Sequence, residues 1–344
     1  MDFEKDYSQS QPVSGIAESP PRAVKSRKGV GWRIFWGVVL ALSVLANIVL
    51  FMMLIGAVAA FAVGQKETFG EVVIREGPRT AKIAVINVQG IIDSEQAEDV
   101  HRQIKSARED KRVKGLILRV NSPGGTISGS DQISHEILTY REKQEKPVVA
   151  FMQGVAASGG YYVSVACNKI VAEPTALTGS VGVIAGHFVF QELLEEKLGI
   201  KPAIIKSGEK KDWPSPFKPF TEEQRQYIQD KLITPAYERF VQIVDDGREA
   251  LTLADVRRLA DGSIYGAKEA LDEKLIDKLG YFDEAIEEVK SLANIEKARV
   301  VEYRKPFSFT DLLASSSKNF LKINRSMLYE LTTPQVLYLW TMGQ

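Results

Sequence analysis

The chain has 344 residues, with 44 Lys and Arg against 44 Asp and Glu, three His and a single cysteine, Cys167. A net charge of zero offers no basic surface for nucleic acid, and one cysteine excludes an intrachain disulfide. The length suits one large domain or two ordinary ones once tails are subtracted.

Residues 1–33 are rich in Ser, Pro, Gln and charge and read as a disordered tail. From Ile34 to Val63 no residue is formally charged and Asn47 is the one strongly polar interruption. About 20 apolar residues span a bilayer, so 34–63 reads as a transmembrane helix with length to spare for tilt. Arg22, Lys25, Arg27, Lys28 and Arg33 precede it, which places 1–33 in the cytoplasm and the chain from Lys66 onward outside it. Trp32 and Trp36 suit the interface. A cleaved signal peptide is the competing reading, but its apolar core would be shorter, about 7–15 residues, and nearer the start.

Residues 64–80 read as a stalk, after which strands and helices alternate. Ala81–Ile92 is β-rich, Glu95–Glu109 helical, Gly115–Val120 a short apolar run suited to a buried parallel strand, and Ser130–Lys143 helical. Pro147–Met152 predicts a strand, Ser158–Cys167 a helix that begins at the serine, and Ile170–Ala172 and Val181–Ile184 short strands. Gln191–Leu198 is helical in pattern and Ala203–Ile205 a strand. Residues 221–247 predict one long amphipathic helix, followed by helices at Leu253–Ala260, Ala267–Leu271 and Asp283–Ala293 and a strand at Arg299–Tyr303. The alternation implies an α/β fold. Residues 305–344 form a less regular tail ending in the apolar Val336-Leu337-Tyr338-Leu339-Trp340.

Two segments carry chemistry. Asn121-Ser122-Pro123-Gly124-Gly125 follows a strand, and its paired glycines let backbone N–H groups approach a bound oxyanion; an ordinary Pro-Gly turn is the bland alternative. Gly154-Val155-Ala156-Ala157-Ser158-Gly159-Gly160 sets a serine between a strand and a helix, where the helix N-terminus favours negative charge and the Gly159 N–H is a natural second donor. A simple N-cap serine would look the same. It is not a Gly-x-Ser-x-Gly elbow, because position 156 is Ala. A desolvated lysine can serve as general base to such a serine, and Lys206, Lys210 and Lys211 are candidates, with His187 as a rival. His-Glu-x-x-His spacing, paired cysteines and a phosphate-binding loop are all missing, so neither a metal nor a nucleotide cofactor is expected.

Taken in order, Asn121–Gly125, Ala157–Tyr162, Thr178-Gly179-Ser180-Val181-Gly182, Lys206–Asp212, Ala260-Asp261-Gly262 and Leu275–Gly280 resemble the bacterial signal peptide peptidase A family in its short form. The resemblance covers roughly residues 80–300 plus the N-terminal anchor. It implies a crotonase/Clp-like α/β ββα superhelix behind one transmembrane helix, with a serine peptidase domain at 81–304. It maps the nucleophile onto Ser158 and oxyanion donors onto Gly159 and Gly124 or Gly125. The pattern Lys-Ser-Gly-x-x-Lys maps the base onto Lys211, with Lys210 one residue away, and Ser180 matches a serine that orients the lysine. It implies apolar peptides, cleaved signal peptides above all, as substrates, and a homo-oligomeric ring whose neighbouring subunits share each site. The domain would stand on the extracytoplasmic side of the inner membrane, reached through the one helix. A Clp-like Ser-His protease using His187, a crotonase-like acyl-CoA enzyme and an inactive membrane scaffold are the rival readings; extracytoplasmic topology weighs against coenzyme A.

Overall fold

The structure, a computed structural model, describes residues 29–62, 69–186, 188–304 and 335–341. Most of the tail 1–33, part of the stalk, His187 and most of 305–344 lie outside the described residues. The chain divides into two units, Met1–Lys66 and Glu67–Gln344.

The first unit is helix α1, Val30–Ala62, which begins four residues before the charge-free run. Its segment Gly31–Gly56 is 26 residues long with a mean hydropathy of 2.8, long and apolar enough to cross a membrane, and all of those residues are exposed.

The second unit is a mixed sheet covered on both faces. Its strands are β1 (Gly70–Arg75), β2 (Lys82–Ile92), β3 (Val113–Thr126), β4 (Val148–Ala157), β5 (Lys169–Ala172), β6 (Leu177–Gly179), β7 (Ile184–Gly186), β8 (Ile264–Gly266), β9 (Lys278–Leu279), β10 (Arg299–Arg304) and β11 (Gln335–Leu339). The main path runs β1-β10-β2-β3-β4-β5-β9, parallel throughout except for the antiparallel edge β1. Its helices are α2 (Ser94–Glu109), α3 (Ile127–Gln144), α4 (Gly159–Val165), α5 (Glu222–Ile228), α6 (Thr234–Gly247), α7 (Leu253–Leu259), α8 (Ala267–Asp272) and α9 (Phe282–Leu292). The α/β class read from the sequence is the class that forms.

Alternation along β2 shows how two faces are filled from one strand. Ile83 and Val85 pack with Ala285, Ile286 and Val289 of α9. Ala84, Ile86 and Val88 point the other way, into the larger core with α2, α3, α4 and α6. The helices start where polar caps satisfy free N–H groups: Asp93 accepts from Gln96 N and Thr126 from Gly129 N, and Thr221 and Thr252 make capping boxes with Gln224 and Asp255.

The long strands change partners partway. Beyond Val120 the β3–β4 register shifts at Gly154, whose φ of +63° suits glycine. Past that bulge β4 pairs with β6, and the end of β3 pairs with β11. Each therefore supplies two strand segments before its helix, the ββα unit expected from the resemblance. These second segments carry the glycine and serine motifs away from the main sheet.

Several boundaries differ from the sequence reading. Gly70–Arg75, read as stalk, is edge strand β1: Val72-Val73-Ile74 is β-branched, and Glu71 reaches back to Lys82 Nζ at 2.6 Å. Val181–Ile184 is not one strand; pairing falls on Leu177–Gly179 and Ile184–Gly186, because Ser180 turns the chain at φ +50°. Ala203–Ile205 is exposed and forms no strand, since no sheet edge lies beside it to accept its backbone bonds. The helix read over 221–247 forms as α5 and α6 joined by a π-helical turn at Gln229–Ile233, just before Pro235, which lacks the N–H an unbroken helix would need.

Asp277 of the Leu275–Gly280 segment ties the far side of the sheet. It accepts from Arg248 Nη1 at 2.8 Å and Ile170 N at 2.8 Å and pairs with Lys169 Nζ at 3.3 Å. Burial pushes its carboxyl up, but the Arg248 bond and charge, the Ile170 N–H and Lys169 outweigh it and hold the group below the usual carboxylate range. A depressed folded value means that the stabilisation is complete above the unfolded value near 4 and is lost as pH falls through the folded one. Asp277→Ala is expected to cost about 2 kcal/mol in urea unfolding at pH 7, allowing for partial exposure, and to make the loss of stability below about pH 4 shallower. An unchanged urea midpoint would show that Arg248 finds another partner.

Candidate active site

At the end of β3 the backbone is held open by its own side chains. Ser122 Oγ donates to Gly90 O at 2.5 Å and accepts from Gly124 N at 3.0 Å. Asn121 Oδ1 accepts from Val155 N at 3.3 Å, which locks this loop to the β4 bulge. Gly124 has φ +105°, a conformation that a side chain would strain.

Ser158 follows directly on β4, whose last pair is Ala157 with Gly179 of β6. Its N–H donates to Gly179 O at 2.8 Å. It stands at the N-cap position of α4 with φ +53° and ψ −116°, yet its side chain makes no cap hydrogen bond. A non-glycine residue in that region costs of the order of 1–3 kcal/mol and persists where the surroundings impose it. The residue is only 1% exposed. The N-cap alternative therefore fails: the hydroxyl is not committed to the helix.

Gly159 is the first residue of α4, where the N–H has no intrahelical acceptor. A Cβ there would lie 2.5 Å from Ser130 Oγ, 3.1 Å from Gly124 Cα and 3.2 Å from Gly125 N. Only hydrogen at this position lets the α4 N-terminus and the Gly124-Gly125 loop touch. The three glycines and Ser158 thus share one small volume, although the Gly124 N–H is engaged by Ser122.

Ser180 is one residue beyond Gly179, which accepts the Ser158 N–H. Its own N–H donates to Ser263 O at 2.7 Å, and Asp261 Oδ1 accepts from Ser263 N at 2.9 Å to shape that turn. This gives the Ala260-Asp261-Gly262 segment a structural role: it fixes the backbone at Ser180.

Lys211 sits on a 3-10 turn, Glu209–Asp212, and is exposed. Its neighbours are committed. Lys206 Nζ donates to Glu209 O at 2.8 Å and Asp212 Oδ1 at 2.6 Å. Lys210 Nζ lies 4.9 Å and 4.7 Å from the ring centroids of Trp213 and Tyr227 and 3.8 Å from Glu223. Among the described residues this turn makes no extensive contact with α4 or β6. A single chain therefore assembles Ser158, Ser180, Gly124, Gly125 and Gly159, and leaves Lys211 on an exposed arm. Cys167 is buried, and burial pushes its thiol up to about 12, so it is a core residue. Among the described residues no three His, Cys, Asp or Glu side chains are placed to hold a metal ion.

The resemblance also implies an apolar C-terminal tail that can reach toward the active site, and the described end of the tail lies at the glycine loop. Strand β11 runs antiparallel to the end of β3, with Tyr338 opposite Gly125 and Leu339 opposite Gly124, and pairs on its other edge with β7. Trp340 N donates to Pro123 O at 2.8 Å. A Cβ built on Gly124 would lie 2.0 Å from Tyr338 O and 2.7 Å from Gly159 N, so the Tyr338 carbonyl sits at the glycine cluster. The signal available in the sequence was an apolar run of about strand length in an otherwise irregular tail.

Comparison with known proteins places this arrangement. The profile of Peptidase family S49 matches residues 140–296, and that of the NfeD1b N-terminal domain matches 82–189. A protein of Enterococcus faecium assigned by name as signal peptide peptidase SppA is 38% identical over 245 residues, 68% of this chain and 70% of that protein. A protein of Methanocaldococcus jannaschii assigned by name as a protease is 34% identical over 268 residues, covering 74% of this chain and 84% of that one. The chain belongs to peptidase family S49. Protease 4 of Haemophilus influenzae is 34% identical to this S49 serine peptidase over 237 residues, 67% of this chain but 38% of that longer protein. Among solved structures, a point mutant of ClpP1 from Listeria monocytogenes aligns with a TM-score of 0.40 and 17% identity, over 59% of this chain and 94% of that one.

Because Gly159 touches Ser130 and the Gly124 loop, Gly159→Ala is expected to lower peptidase activity at least 100-fold, with the melting temperature falling by a few degrees, about 1–3 kcal/mol of overpacking. Peptide hydrolysis within threefold of the parent enzyme would show that the contact is slack.

Proposed function

We propose that this peptidase is a membrane-anchored endopeptidase that degrades cleaved signal peptides and other apolar peptides, with Ser158 as nucleophile and Lys211 as general base. The observation that carries the reading is β11: an extended apolar segment bonded to β3 that presents a backbone carbonyl beside Gly124, Gly159 and Ser158. A substrate strand in that position would be held by its backbone through sheet pairing, which accepts many sequences, with side-chain pockets adding preference.

The chemistry follows from the parts. Neutral Lys211 takes the Ser158 hydroxyl proton as Oγ bonds to the substrate carbonyl carbon. The oxygen that gains charge accepts hydrogen bonds from Gly159 N–H and from Gly124 or Gly125 N–H, the former on exchange from Ser122. The tetrahedral intermediate collapses, the amine leaves with the proton held by the lysine, and an ester remains on Ser158. Water, deprotonated by Lys211, then cleaves the ester and restores the hydroxyl. In this reading Ser180 hydrogen-bonds the lysine and directs its lone pair.

Two features favour Lys211 over Lys210. The Lys210 amine lies against the rings of Trp213 and Tyr227, and reaching a serine hydroxyl would break both contacts. Among the described residues Lys211 has no such partner, but a base must also be desolvated. Its exposure in one chain fits a ring in which a neighbouring subunit covers the arm. The same arm exposes Ile184, Phe188, Leu193, Leu198, Ile204 and Ile205, an apolar surface suited to that burial. The rival base His187 lies outside the described residues. Helix α1 is the anchor in this reading, with residues 1–33 cytoplasmic and the peptidase unit extracytoplasmic.

Ser158→Ala and Lys211→Ala are each expected to lower hydrolysis of an apolar signal-peptide substrate by about 10³-fold or more in the full chain, while His187→Ala retains most of it. Activity surviving either of the first two substitutions, or lost with the third, would refute the pair. Because β11 occupies the substrate position, removing residues 335–344 is expected to raise kcat/KM several-fold at unchanged oligomeric state; a fall would mean that the strand builds the site instead of filling it.

A further inference from the structure

A cavity of about 470 Å³ lies where the C-terminal ends of α4 and α6 meet α3. That volume falls in the range of small-molecule sites. Ser158 opens the other end of α4, about 10 Å away along the helix axis. The wall between the two helices is close-packed. A Cβ on Gly247 would lie 2.2 Å from Val165 Cγ1 and 2.6 Å from Val165 O, so α6 rests directly on the end of α4. Leu138, Val165 and Ile243 give the cavity apolar surface.

Its charges are unevenly matched. Arg248 is buried and bonded to Asp277 and to the Lys274 carbonyl, and Lys169 pairs with the same carboxylate. Arg141 has no carboxylate partner among the described residues. Its Nη1 donates to the Ala166 carbonyl at 2.5 Å, while its Nε–H is buried and unpaired. Ser134 and Arg141 are seven residues apart and lie on one face of α3. The Ser134 hydroxyl is also unpaired, in a residue only 1% exposed. Buried donors without acceptors are uncommon in folded proteins, and a guanidinium facing a cavity is well matched to a carboxylate. At the rim Asp246 and Glu249 are exposed. Three cations with one carboxylate among them, below two further carboxylates, give a positive floor and a negative mouth. Inorganic phosphate would satisfy the floor but meet repulsion at the mouth. A ligand with one anionic and one cationic end suits both.

We infer that this cavity binds a short apolar peptide with both termini free, its carboxylate on Arg141 and its ammonium at Asp246 and Glu249. Its side chains would lie on Leu138, Val165 and Ile243. On the reading above, such peptides are what the enzyme releases, so the site is suited to its own products. Binding itself requires neither Ser158 nor Lys211.

The test is a ligand-observed NMR titration of the full chain in detergent with intact leucyl-alanine, its C-terminal amide and its N-acetyl form. Leucyl-alanine is expected to bind with a Kd below about 1 mM. Amidation is expected to weaken binding at least about tenfold, because it removes a charge-assisted bond to a guanidinium. N-acetylation is expected to weaken it by about threefold, since the rim carboxylates are exposed. In Arg141→Gln the preference for acid over amide is expected to fall to within about twofold. In the double variant Asp246→Asn, Glu249→Gln the preference over the N-acetyl form is expected to vanish while acid over amide is kept. The rim residues are exposed, so that variant decides the matter if Arg141→Gln fails to fold. Ser158→Ala is expected to bind all three probes as the parent does. Equal binding of acid and amide, either preference retained in the variant meant to remove it, or no binding at about 10 mM would overturn the site. Binding lost in Ser158→Ala would place the dipeptide in the catalytic cleft and overturn it too. Loss or survival of peptide hydrolysis in Ser158→Ala decides the proposed function alone and leaves this cavity untouched.

Discussion

The contact between the first turn of α4 and the glycine loop at the end of β3 governs the rest of the site. Gly159 lies so close to Ser130, Gly124 and Gly125 that no side chain fits between them. This approach holds Ser158 in a left-handed conformation, with its N–H on Gly179 and its side chain free of any cap bond. Strain at one residue is sustained because parallel strands on both sides are already fixed: β4 pairs with β3 and β6, and β3 with β2. The sheet thus converts ordinary strand pairing into the placement of one hydroxyl beside N–H groups that have no helical partner.

The loop that creates the site also leaves a sheet edge open beside it. Unpaired strand edges attract extended peptides, and here β11 takes up the edge between β3 and β7. Its backbone supplies the pairing and Tyr338 supplies the side-chain contact, through Tyr162 on the helix that Ser158 begins. Strand pairing and aromatic contact therefore converge on the helix that Ser158 begins. The lysine turn is built differently: the segment before it exposes Phe188, Leu193, Leu198, Ile204 and Ile205, and the Lys211 side chain is exposed beside them in sequence.

Much of this was legible in the amino-acid order. The glycine pairs at 124–125 and 159–160 mark close backbone approach, since no other residue permits it. Continuous apolar runs gave β2, β5 and the first halves of β3 and β4, because a sheet buried on both faces demands them, and helical periodicity gave α2, α3 and α9 to within a few residues; the second halves of β3 and β4, rich in small residues, were not read as strand. Weak periodicity hid the rest. β1 is short, carries a charge near each end at Glu71 and Arg75 and lies on an edge, so it resembled a stalk. β7 is a three-residue strand with all its residues exposed, and it is defined by its pairing with β11, more than a hundred residues away in sequence.

The sequence by itself determined the α/β class, the apolar N-terminal helix and the small-residue environment of Ser158, each a consequence of local composition and spacing. Tertiary structure alone decided that Ser158 caps nothing, that Asp277 and Asp261 serve as struts, that Lys210 is held by two rings, and that the apolar run 336–340 pairs with the end of β3 in a register that sets Tyr338 opposite Gly125. Those outcomes depend on which distant backbones converge. Convergence is fixed by sheet register and by the space left when side chains pack, and neither is written in any one segment.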